Sequence, residues 1–98
     1  MSAVHWVAAL RGYLPAYLPT GELYLNAPPD PETGEPDAGN LAKAYLWLSA
    51  ASRRLQDEHD LARARTLLDQ VRAIMPATWA PDLDAKVEVH LAGVAAVR

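Results

Sequence analysis

Apolar residues recur at helical spacing in three stretches of the second half of the chain. From Leu41 to Gln56, the positions Leu41, Ala44, Tyr45, Leu48, Ala51, Ser52 and Leu55 line one face. Leu46, Trp47 and Ala50 widen that face, so this segment predicts a helix contacted from two sides, with Asn40 as its N-cap. From Leu61 to Met75 the inward stripe is Leu61, Ala64, Leu67, Leu68, Val71 and Ile74, with Asp60 as cap and Pro76 as terminator. From Asp82 to Val97 it is Leu83, Val87, Leu91 and Val94, opened by Ala80 and Pro81, with Asp82 and Asp84 at the positive end of the helix dipole. Short links between the three predict antiparallel neighbours.

The first half reads differently. Ser2 to Arg11 places Val4, Val7 and Leu10 at helical spacing, with Leu14 beyond and Gly12 suited to end the helix. Pro15 and Pro19 then argue against continuation, because each lacks an amide donor and restricts the residue before it. Thr20-Gly21 is a turn signal. Glu22 to Asn26 alternates poorly and predicts an extended segment lying on the helices or a brief strand. Asn26 to Asn40 (NAPPDPETGEPDAGN) has no apolar residue larger than Ala apart from its prolines, and predicts a loop. The expected organisation is one domain over 1–98: an N-terminal helix (1–12), a Pro-rich arm (13–40) and a three-helix body (41–97).

Charge follows the same division. The arm carries Glu22, Asp30, Glu32, Glu35 and Asp37 and no Lys or Arg, whereas Lys43, Arg53, Arg54, Arg63, Arg65 and Arg72 all fall in the body. The overall net charge of −3 is too small to imply a polyelectrolyte partner. With 51% hydrophobic residues a core is affordable, which excludes a wholly disordered chain. No cysteine is present, which excludes disulfides, thiolate catalysis and sulfur-ligated zinc, and agrees with a reducing cytoplasm. No apolar run approaches the ~20 residues of a membrane span, and Ala3 to Leu10 lacks the preceding charge of a signal peptide. A soluble cytoplasmic protein is expected, and the Ala- and Arg-rich composition suggests a bacterial or phage source.

Sites of chemistry are sparse. His5, His59 and His90 share no ligand spacing; His59 sits in an acidic turn with Asp57, Glu58 and Asp60, and His90 reads as a boundary residue. Ser2, Ser49 and Ser52 lack a nucleophile elbow, and no glycines fall at phosphate-loop intervals. Arg65 and Arg72 flank Asp69, a self-neutralising ladder that argues against nucleic-acid readout. The expectation is a non-enzyme with no cofactor, no metal and no catalytic residue.

One resemblance stands out. Leu48-x2-Ala51-Ser52-x2-Leu55, then Ala64-x3-Leu68, then Pro76 is similar to the tetratricopeptide repeat, and Ala44 to Ala51 resembles the first helix of Sel1-like repeats. Leu48 stands where the repeat usually has Trp, Ser52 where it has Gly, and no second repeat is visible; residues 45–76 are covered. The resemblance implies a mainly α fold: a small bundle of three to four helices built on an antiparallel hairpin, with the Pro-rich arm irregular. It also implies a non-catalytic protein-binding adaptor whose contact face holds Leu46, Ser49, Arg53 and Gln56. Trp47, off the main stripe, either packs the N-terminal helix or joins that face as an anchor. The expected partner is another protein, with no specific nucleic acid and no membrane, and with room for a homo-oligomer. A rival expectation is a small inhibitor or decoy, of the kind mobile elements encode, that binds through the acidic arm. Against it stands an arm that folds back over the helices with its Tyr and Leu side chains.

Overall fold

The computed structural model describes residues 14–35 and 37–97, with side chains as far as Gly93. Over that span the protein is all-α: α1 (Tyr17–Leu25), α2 (Ala38–Arg54), α3 (Glu58–Ile74) and α4 (Ala80–Val97), with 3-10 turns at Leu14–Ala16 and Ala77–Trp79 and no strand among the described residues. The helix expected over Ser2 to Arg11 and the Val94 side chain lie outside the described residues.

The body has the expected three helices, but two start a turn earlier than the hydrophobic pattern suggests. Asp37, not Asn40, caps α2, its carboxylate accepting from the Asn40 amide at 2.9 Å. Asp57, not Asp60, caps α3 in the same way, accepting from the Asp60 amide at 2.9 Å. The pattern hid this because Ala38 and Gly39, like Glu58 and His59, begin their helices on an exposed first turn. Such a cap is worth about 1 kcal/mol. Glu58 and Asp60 add negative charge where the α3 dipole is positive. At the other end, Met75 precedes Pro76 and is held extended (φ −78°, ψ 152°), which stops α3 at Ile74.

The main correction concerns the arm. Pro15 and Pro19 do not stop a helix: Pro15 lies in the 3-10 turn and Pro19 is the third residue of α1. A proline there costs no hydrogen bond, because the first four amides of a helix have no intrahelical partner anyway. Thr20-Gly21 is mid-helix and not a turn, and Glu22 to Leu25 is helical and not extended. The irregular part of the arm is therefore its second half, from Asn26 to Asp37. That half is built: the Asp30 amide donates to the Glu35 carbonyl and the Gly34 amide to the Asp30 carbonyl, both at 2.8 Å. Gly34 supplies the left-handed conformation (φ 72°) that closes this turn.

Helix α2 is the centre, and α1, α3 and α4 all pack on it. Its Ala44, Tyr45, Leu48, Ala50 and Ala51 have essentially no exposure. Full burial of a side chain such as Leu48 contributes about 1.5–3 kcal/mol. Toward α3 it presents Ala51, which shares a packed cluster with the fully buried Ala64. Leu55, Gln56 and Asp57 alone join the two helices, which sets them antiparallel. Small residues at that crossing let the backbones approach, and Leu67, Leu68 and Val71 fill the volume beside it. Ile74, expected inward, is 52% exposed; the chain turns after it and buries Met75 instead.

Toward α1 the approach is tighter still. A Cβ placed on Gly21 would lie 2.7 Å from both Leu48 Cγ and Leu48 Cδ2, and 3.2 Å from the Leu48 backbone nitrogen. The inward face of α1 is Tyr17, Thr20, Gly21 and the half-buried Tyr24, so the arm does fold back on the helices. No aliphatic side chain is fully buried on it.

Candidate functional site

The five residues expected to meet a partner all lie on α2 or just beyond its end, but they do not share one open face. Ser49 is 3% exposed and offers no surface to a partner, and Trp47, 8% exposed, offers only what lines a pocket between α2 and α4. Leu46 is half-buried, and Arg53 and Gln56 are exposed. Arg53 reaches across to α4, 3.8 Å from Asp84 and 4.0 Å from Glu88. The surface that a repeat would use for its ligand is thus partly occupied by the chain's own last helix.

Trp47 sits in an aromatic group contributed by three helices. Its ring meets His90 of α4 edge-on at 5.2 Å and Tyr17 of α1 at 5.6 Å. Tyr17 Oη and His90 Nε2 are 2.9 Å apart, a hydrogen bond between residues at opposite ends of the described chain. Burial disfavours the charged imidazole and lowers the His90 pKa below its ordinary 6.5.

A second polar junction fixes α4 farther along. The buried Tyr45 donates its hydroxyl proton to Asp84 at 2.7 Å, and the Arg72 guanidinium lies 5.7 Å from the Tyr45 ring centroid. Burial first, and the Asp84 acceptor next, raise the Tyr45 pKa. Asp84 therefore does more than favour the helix dipole, as it serves both Tyr45 and Arg53.

Between these junctions α2 and α4 leave a half-open pocket of about 170 Å³. Leu46, Trp47 and Ala50 form one wall, and Lys86, Val87 and His90 the other. The α2 wall was legible in the sequence; the α4 wall was not assembled there. Val87 reads as core and His90 as boundary, and the i, i+4 spacing of Lys86 and His90 was the available signal. A larger, open groove of about 510 Å³ lies where the first turns of α2 and α4 meet, lined by Ala38, Gly39, Ala42, Thr78, Trp79 and Leu83 among others. It contains no cluster of titratable groups.

Among the described residues, one group could offer three ligands to a metal ion: Asp57, His59 and Asp60. All three are at the surface at the start of α3, where the dipole opposes a cation, and Asp57 is already engaged as the cap. Of the expected Arg65–Asp69–Arg72 ladder the structure forms the Arg72–Asp69 half, at 4.0 Å, and no ion pair within 4 Å joins Arg65 to Asp69; a separate pair links Arg63 of α3 to Glu22 of α1 at 3.5 Å. Among the described residues no helix is long and apolar enough to cross a membrane. Comparison with protein-family models, with curated proteins and with solved structures gives no match for this chain.

Proposed function

We propose that the chain is a non-catalytic protein-binding module, a single repeat-like hairpin closed by α4, that docks its partner at the pocket between α2 and α4. The observation that carries this reading is the pocket itself: an apolar depression with a tryptophan in one wall and Lys86 in the other, and with the Arg53 ion pairs joining the same two helices. Interfaces concentrate their binding energy in such spots, where an aromatic anchor is ringed by polar groups. In this reading Leu46 and Trp47 supply the apolar contact and Arg53 and Gln56 the polar flank. Ser49 acts only by packing. The module works in the cytoplasm, in keeping with a chain that has no cysteine.

The acidic turn supports a second reading, an inhibitor that presents Asp30, Glu32 and Glu35 to a basic site. Its support is that the turn is preformed, with the Glu32 amide bound to Asp30 Oδ1 at 2.8 Å and residues 31–35 all exposed. A preformed loop loses less entropy on docking.

Affinity capture from the source cell separates the two. A partner retained by the unaltered chain and by a chain lacking 28–35, but lost on Leu46→Arg, supports the pocket. Loss on deleting the turn, with Leu46→Arg still binding, transfers the function to the arm.

A further inference from the structure

We propose that the α2–α4 pocket receives a single bulky apolar side chain of a partner polypeptide, and that Lys86 pairs with a carboxylate next to that side chain. The inference rests on the reading of this pocket as the docking site and adds the chemistry of what it takes. Size decides the first part. Pockets for cofactors and drug-sized ligands run from about 300 to 1,000 Å³, whereas an apolar cavity of about 150 Å³ accommodates benzene. At about 170 Å³, the present pocket matches one leucine, isoleucine or phenylalanine side chain.

Charge decides the second part. Of the acids on α4, Asp84 is engaged by Tyr45 and Arg53 and Glu88 lies 4.0 Å from Arg53, while Asp82, one turn before Lys86, forms no ion pair with it within 4 Å. Lys86 is exposed at the pocket edge and forms no ion pair with any described residue. A lone cation beside an apolar hole selects an apolar residue with an acidic neighbour, and gives none of the repeated phosphate contacts that a nucleic acid needs.

The surface beside the hole fits a polypeptide backbone. Lys86, Val89, His90 and Gly93 fall at i, i+3, i+4 and i+7 and share one flank of α4. Val89 is 73% exposed, and a Cβ placed on Gly93 would meet nothing within 4 Å. This flank is an open shelf along which a peptide lies while one side chain enters the pocket.

Selection of a random displayed-peptide library on the full chain tests the proposal. The expected consensus has Leu, Ile or Phe within two positions of Asp or Glu, and its binding disappears on Leu46→Arg. Lys86→Glu, which removes no ion pair and should leave the thermal melt unchanged, weakens those peptides about tenfold and on reselection yields Lys or Arg in place of the acid. Pocket-dependent peptides without an acidic preference, unmoved by Lys86→Glu, overturn the proposal and leave the docking site standing. A library that yields nothing sensitive to Leu46→Arg removes both. Sedimentation showing a dimer that Leu46→Arg dissolves assigns the pocket to a second copy of the chain and overturns the peptide proposal.

Discussion

Helices α1 and α3 meet the same central helix by different means. At the α3 crossing, alanines make room and leucines surround them, so packing and hydrophobic patterning coincide. At the α1 crossing, room comes from Gly21, and the inward stripe Tyr17, Thr20, Gly21 and Tyr24 carries two phenols and a hydroxyl. The first arrangement announces itself as a periodicity of greasy residues. The second is equally specific in space yet nearly silent in a hydropathy pattern, because its i, i+3, i+4, i+7 positions hold amphipathic and small side chains.

The sharpest test of this contrast is Ala64→Leu. Overfilling a crossing with no exposure is expected to destabilise the whole protein by about 1–3 kcal/mol, seen as one cooperative transition shifted to lower denaturant. Gly21→Val overfills the other crossing. It is expected to release α1 first, with Trp47 fluorescence shifting before far-UV helicity falls; a single shared transition would show that α1 and α3 are equally integral. The glycine pair sharpens this further. Gly93→Ala gains about 0.5–1 kcal/mol of helix propensity, while Gly21→Ala loses stability despite the same gain, since its methyl would collide with Leu48. Next in size are the caps: Asp57→Ala should cost about 1 kcal/mol in thermal stability, with Asp60→Ala costing less, which identifies the true helix start.

The smallest expected effect is on pH. Because burial lowers the His90 pKa, the neutral ring stabilises the fold fully above about pH 6.5, and that contribution fades as pH falls from there through the lower folded-state value. His90→Gln should therefore flatten the decline in thermal midpoint between neutral pH and pH 5 relative to the unaltered chain. An unchanged slope would mean that burial does not hold the His90 ring neutral in the folded chain.

Much of the body was legible in the sequence, and the reasons are specific. Leu41, Ala44, Tyr45, Leu48 and Ala51 are buried as their spacing requires, and the added apolar width at Trp47 and Ala50 reflects the second and third contacts on α2. Ile74 was misplaced because periodicity does not know that Pro76 pulls Met75 into the core one residue later. The caps were misplaced because a polar first turn adds nothing to an apolar stripe. Of the candidate site, the α2 half was visible and a packed Trp47 was one of the two readings its position allowed, but its partners in α1 and α4, and the burial of Ser49, were not. Which helix covers each flank of α2 is set by how the helices lie over one another, which no local pattern encodes.

Helix α2 carries a further consequence. Each of its neighbours leans on it, whereas α3 and α4 barely meet each other among the described residues. An arrangement with one axle and several spokes frays from the outside inward. In hydrogen exchange the amides of residues 44–51 should be the last to yield, at the free energy of global unfolding, while the outer helices open below it. Loosening a spoke changes what the axle exposes, so a ligand seated beside α4 would be felt in the exchange of the opposite rim.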